Sequence, residues 1–477
     1  MLEPAEARET QWLPVPASAG ALRQLAYLDP ERYPVLLDSA ASGPNGRFTI
    51  LAAHPRQVLW QDDQGGLHGH LSAPLHSTHD GGFLAAFDQA WRRECSVGAS
   101  SVASPELPFR GGWIVYLGYE IAGEVEPRLS LAQLGRSDPR APAAFAMRIG
   151  CGLIYDHERQ QAWAFAENAE VDRLPALADA VAALPRVAVP PLPVRVGLSE
   201  EDPARFRQRI DAALDYIRAG DIYQANLSRP WRGELPAGTD ACTTTPSLYE
   251  QLRASNPAPF AALVQFQDWR LLSSSPERLV RVTGTRVETR PIAGTRPRSR
   301  VAERHAGEIA ALMAHPKERA EHVMLIDLER NDLGRICRAG TVRADEFMAI
   351  ESYAHVHHIV SNVSGERLPQ VGPADVLRAV FPGGTITGCP KFRCMQIIAE
   401  LEGEARQAYT GSLGFVNVDG SLDFNILIRT LSMRGEHVEL RTGAGIVADS
   451  DRDHELEETR AKARGVLAAL QAARDDQ

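Results

Sequence analysis

Long apolar runs are missing from this 477-residue sequence: no stretch approaches the ~20 apolar residues that a membrane span needs. Its opening residues carry Glu3, Glu6 and Glu9 and no signal-like apolar segment. Positive charge is in deficit. Asp plus Glu outnumber Lys plus Arg by 61 to 51, a formal charge of −10, so no polybasic stripe marks nucleic acid or an anionic membrane as a partner. Paired cysteines are also absent. Cys95, Cys151, Cys242, Cys337, Cys389 and Cys394 are scattered without CxxC spacing, which excludes a disulfide framework or a zinc site and fits reduced thiols. The expectation is a cytoplasmic protein that meets an anionic ligand only through local devices such as a metal ion, an arginine or backbone N–H groups.

Hydrophobic residues make up 44% and charged residues 23%, enough to bury a large core. Residues 11–190 read as mixed strands and short helices. Tyr33–Ser39, Phe48–Leu51 and Gly111–Tyr119 are buried strands bounded by turn residues. The proline-rich Val187–Pro193 forms an extended seam. Beyond it, residues 200–470 alternate strands with long helices. Glu200–Ala219 is amphipathic, with Phe206, Ile210, Ala213, Leu214 and Ile217 on one side and Gly220 at its end. His315–Leu328 and Glu455–Ala469 are further helices, and Val342–Ile350, Ala408–Val418 and Asp423–Ser432 further strands. This order predicts an α+β fold or an α/β sandwich, the two regions forming one intertwined domain.

Two carboxylate pairs stand out. Glu318 and Glu321 are spaced i, i+3, and Glu455 and Glu458 repeat the spacing, with Lys462 at i+7 from Glu455. On a helix such positions share a face. If the two faces meet across a cleft, mutual repulsion raises the carboxyl pKa values unless a cation sits among them, and oxygen ligands suit magnesium. Arg429, within the apolar Ile426–Arg429 run, needs an anionic partner, and a ligand carboxylate matches its fork. Thr442–Ile446 and Pro291–Arg298 read as glycine-containing turns whose backbone can approach an anion. His355, His357 and His358 fit no zinc spacing, and Gly383–Gly388 is no Walker loop because Lys391 is misplaced.

Together these segments resemble the chorismate-utilising enzymes: anthranilate and aminodeoxychorismate synthase components I and the isochorismate and salicylate synthases. The resemblance rests on DIYQANLS (221–228), SSPERL (274–279), RPIAGTRPR (290–298), HPKERAEHVMLIDLERNDLGR (315–335), FPGGTITGCPK (381–391), YTGSLGF (409–415) and RTGAGIV (441–447) in that order, ending in the last helix. It implies two facing sheets with outer helices, as in anthranilate synthase component I. It also implies magnesium on Glu321 and Glu458, with Glu318 and Glu455 beside it, gripping the ring carboxylate of chorismate. Tyr409, Arg429, Gly443, Ala444 and Gly445 would hold the enolpyruvyl carboxylate, and Gly294, Thr295, Thr385 and Gln224 would line the ring. Glu277, a candidate general acid, His358, Thr295 and Lys462 are the implied catalytic set.

Water-using members of this family carry a lysine where this chain has Gln224, and a glutamine cannot act as the base that activates water. Ammonia needs no such base, so amination is expected. No Gly-x-Cys-x-Gly elbow is present, so a glutaminase (glutamine amidotransferase) partner would supply the ammonia. Asn226, FPGGTITG and Asn425 resemble aminodeoxychorismate synthase, which aminates C4 on the way to 4-aminobenzoate and folate. Ala293, where that enzyme's best-known members have lysine, matches anthranilate synthase, the alternative. Leu36–Ser39 with Asn256–Phe260 resembles the family's tryptophan pocket, formed by Ser39, Pro257 and Phe260, although Asp38 replaces the glutamate usual in feedback-inhibited members. An inactive scaffold subunit is the third reading, and the intact acidic set opposes it.

Overall fold

The computed structural model describes residues 9–41, 45–71, 82–95, 106–185, 194–297, 305–314, 316–352 and 356–471. The described strands form two antiparallel sheets, one of twelve strands and one of eleven. Each draws on both halves of the chain. In the larger sheet Val35–Asp38 pairs with Phe260–Phe266, Val35 standing opposite Val264 and Asp38 opposite Ala261. In the smaller, Gly112–Leu117 pairs with Ser412–Asn417. The proline-rich seam, Val187–Pro193, lies outside the described residues.

The strands read as continuous apolar runs because both faces are buried. Successive side chains alternate between faces. Ile50 and Ala52 enter the core between the sheets, with Phe165, Val264 and Trp269 from the same sheet and Ile114, Phe145 and Phe415 from the other. Their neighbours Leu51 and Ala53 point outward, beneath the helices Ala19–Leu28, Ala241–Ser255 and Arg452–Gln471. Helices Gly82–Glu94 and Pro373–Val380 cover the smaller sheet through Phe83, Phe87 and Leu377. This is an α+β sandwich with helices outside.

Element boundaries follow local chemistry. The amphipathic helix spans Pro203–Arg218, later than the expected start at Glu200. Asp202 caps it by accepting from the Ala204 amide, Pro203 fits its first turn, and Leu198–Glu200 is instead an edge strand. The two acidic helices are Pro316–Gly334 and Arg452–Gln471, each longer than the spacing predicts. The expected strand Asp423–Ser432 is broken: Leu422–Asn425 belongs to the smaller sheet and Thr430–Arg434 to the larger. Arg429 therefore lies in the link that crosses between the sheets, not within a strand, and has φ +52°. A single strand cannot serve both sheets, so the chain turns there.

Candidate active site

The floor of the site is the pair of strands Gln224–Glu234 and His437–Ile446. Their register sets Asn226 opposite Gly445, Leu227 opposite Ala444 and Ser228 opposite Gly443. Thr442–Ile446 is thus strand and not a turn, because its backbone completes a ladder with the strand alongside. Ala444 packs on the far side among Leu227, Ile397 and Leu456. The glycines leave room on the near side. A Cβ on Gly443 would lie 2.6 Å from the Tyr409 hydroxyl oxygen, and one on Gly445 would lie 2.5 Å from Gln224 Nε2 and 3.6 Å from Glu321 Oε1. Pro291–Arg298 is likewise mostly strand, Ile292–Pro297, with Thr295 opposite His358. The side chains of Ala293 and Thr295, and Gly294 between them, fall outside the described detail, as do His355 and the His357 side chain. His358 is buried.

The last helix lies along the floor. Lys462 Nζ donates to the Gly443 carbonyl (3.0 Å) and pairs with Glu458 Oε1 (2.7 Å). Burial among surrounding atoms works against the Lys462 charge, but Glu458 outweighs it and the pKa is raised. The cleft is nevertheless open, since 43% of the Lys462 side chain is exposed. From the opposite wall comes Glu321, whose Oε1 accepts from Gln224 Nε2 (2.9 Å). Burial raises the Glu321 pKa, and the charges of Glu318 and Glu458 raise it further against the lowering effects of Gln224 and Lys462. The two acidic helices therefore converge closely enough for their carboxylates to repel one another.

One donor escaped the sequence reading. Ligand atoms of His454, Glu455 and Glu458 lie within 4.8 Å of one another, a set that can hold a divalent cation. His454 precedes Glu455 in the first turn of the helix, and the i, i+4 spacing of His454 and Glu458 was its available signal. Glu455 is buried and accepts from Ser450 Oγ (2.7 Å).

Deeper in the cleft, Glu277 is buried and accepts from Thr385 Oγ1 (2.9 Å). Burial pushes its pKa up to about 7, although Thr385, the Ile292 amide, Arg429 and Lys462 pull the other way. The Arg429 carbonyl accepts from the Ser274 amide (3.2 Å), but its side chain makes no hydrogen bond or ion pair among the described residues; burial lowers its pKa and Glu277 partly offsets this. An arginine held in the left-handed region beside a buried acid is poised for an incoming anion. Tyr409 is buried, which raises its pKa and keeps the hydroxyl neutral. Behind it, Arg406 stacks at 5.6 Å from the ring centroid, is paired with Glu402 (2.6 Å) and donates to the Asn226 carbonyl (2.6 Å). Sequence reasoning missed this Arg406–Glu402 brace, whose only trace was its i, i+4 spacing.

Residues 45–468 match the family model for chorismate binding enzyme. The chain belongs to that family. It is a chorismate-utilising enzyme of the anthranilate and aminodeoxychorismate synthase type. It is 38% identical to an anthranilate synthase component I-like protein of Synechocystis, over 89% of this chain and 83% of that protein. It is 36% identical to aminodeoxychorismate synthase component 1 of Bacillus subtilis, over 93% of both chains. Among solved structures, anthranilate synthase component I of Streptococcus pneumoniae superposes with a TM-score of 0.75 at 29% identity, covering 89% of this chain and 93% of that one. No described helix is long and apolar enough to cross a membrane.

A second cavity, of about 640 Å³, is lined by none of Glu318, Glu321, Glu455 and Glu458 but by Asp38, Ser39, Phe48, Pro259, Phe260 and Arg278 among others. It includes Ser39 and Phe260, with Pro259 in place of the expected Pro257. Asp38 is already held by Arg253 Nε (2.5 Å), Thr49 Oγ1 (2.9 Å) and the Tyr249 hydroxyl (3.3 Å).

Proposed function

We propose that this chain aminates chorismate at C4 with ammonia, giving 4-amino-4-deoxychorismate and water, and that a separate glutaminase subunit supplies the ammonia. The observation that carries the choice of ammonia is Gln224. Its amide donates to Glu321, and a neutral amide cannot take a proton from water. Glu277, with its pKa near neutrality, holds a proton at the buried end of the cleft and can give it to the departing hydroxyl. Arg429 and Tyr409 offer donors to a substrate carboxylate, and Lys462 positions the Gly443 carbonyl strand beneath it. The mutually repelling Glu321 and Glu458, with Glu318 and Glu455, fit a magnesium ion, which when bound would neutralise the ring carboxylate and ease departure of the hydroxyl.

The C4 assignment draws support from Asp38, which stands where feedback-inhibited members carry glutamate and is ion-paired with Arg253. A second reading, amination at C2 to give anthranilate, draws support from Ala293, which provides no nucleophilic lysine. Incubating the purified chain with chorismate, magnesium and ammonium decides the product. The C4 reading expects 4-aminobenzoate only after a lyase is added. Fluorescent anthranilate with pyruvate would overturn it in favour of the second reading.

A further inference from the structure

Near Glu277 stand three buried or half-buried ionisable groups that the reaction scheme does not use: Glu329, Asp332 and Lys391. Glu277 and Glu329 flank a single dipeptide. Thr385 Oγ1 donates to Glu277 (2.9 Å), and at the preceding Gly384 a Cβ would lie 3.4 Å from Glu329 Oε1. Glu329 is buried, and no cation pairs with it among the described residues. One helical turn further, Asp332 is paired with Lys391, which also donates to the Val380 carbonyl (3.3 Å). Asp332 and Lys391 line an outer cavity of about 730 Å³ that Glu277 does not line. A file of ionisable groups thus runs from the general acid to a second opening.

Each member faces a defined set of neighbours. Glu277 meets Thr385, Arg429, Lys462 and Glu329. Glu329 meets Asp332, Lys391, Thr289 and Glu277, and burial, reinforced by Asp332, pushes its pKa up to about 8 against the lowering effects of Lys391 and Thr289. Asp332 meets Lys391 and Arg335. The charge of Glu277 adds to the cost of ionising Glu329.

We propose that Glu329 is a positioning residue that resupplies Glu277 with its proton, drawing from water in the outer cavity past Asp332 and Lys391. The proposal rests on the amination reading above. In each turnover Glu277 gives a proton to the hydroxyl, which leaves as water with the C–O electron pair. Glu329 then passes its proton to the Glu277 carboxylate and is itself recharged from the outer cavity. The new carbon–nitrogen bond carries an ammonium group that sheds one proton to solvent, which balances the one drawn in.

Two measurements test this on the full chain. Difference infrared spectra from mildly acidic to alkaline pH are expected to contain at least two buried protonated-carboxyl bands, one of them lost in E277Q and another in E329Q. A single band, lost in E277Q, would overturn the proposal without any need for E329Q to fold. In steady-state amination, E329Q is expected to lose at least about 10-fold in kcat with KM for chorismate unchanged. The alkaline limb of its kcat profile should move to lower pH, and E329D should recover part of the rate. An E329Q enzyme with unchanged kcat and pH profile overturns the relay alone. A wild-type chain that turns over no chorismate defeats the amination reading as well.

Discussion

Gly443 and Gly445 show how little space the substrate side of the floor leaves. Gly443→Ala would place a methyl 2.6 Å from both the Tyr409 hydroxyl and the Leu227 carbonyl. The backbone atom cannot yield as a flexible side chain does, so the strand or Tyr409 must shift. The expected result is a raised KM for chorismate, with a fall in melting temperature from the strained ladder. Glu277→Gln keeps the size and the Thr385 contact but removes the proton, so kcat should fall by roughly 10²–10⁴-fold with the fold intact. Glu458 is partly exposed, so Glu458→Gln should abolish turnover with little loss of folding stability. Normal magnesium-dependent rates in that variant would remove Glu458 from the site.

The helix Pro316–Gly334 carries three carboxyls, Glu321, Glu329 and Asp332, whose pKa values burial raises. Glu329 and Glu277 have pKa values raised to about 8 and about 7, so between the ordinary carboxylate range and those values the folded chain binds more protons than the unfolded one. Stability must then fall as pH rises through that window, by about 1.4 kcal/mol per carboxyl for each pH unit climbed. Calorimetry of E329Q should find it more thermostable than wild type above pH 8, with the difference vanishing only below the ordinary carboxylate range. Asp345 has the opposite sign. Despite some burial, bonds from Asn362, Ser364 and Arg286 lower it to about 2, so its contribution is present at neutral pH and lost as acid approaches that value. These elements also mark where sequence reading works. Helices with i, i+3 acids and buried apolar strands were legible because periodicity encodes them. The split at Ile426–Arg429 was not, because an apolar run looks the same whether it stays in one sheet or crosses between two. His454 and the Arg406–Glu402 brace were hidden for a related reason: a spacing on one helix does not reveal what stands opposite.

At the scale of the whole molecule, the sheets interleave strands from both ends of the sequence. Val35–Asp38 completes the sheet beside Phe260–Phe266, and Gly112–Leu117 lies between Ala144–Ile149 and Ser412–Asn417. A fragment starting near residue 200 would expose those edges, so expressed alone it should be insoluble or unfolded by circular dichroism. The same interleaving brings Glu321 and Glu458, 137 positions apart in the sequence numbering, to opposite walls of one cleft. Titration of magnesium, or of manganese followed by its spin resonance, into wild type, E321Q and E458Q tests that convergence most directly. The account predicts that each substitution weakens binding of the same single ion by about 10-fold or more. Full-strength binding by E321Q, with the ion held by His454, Glu455 and Glu458 alone, would contradict it.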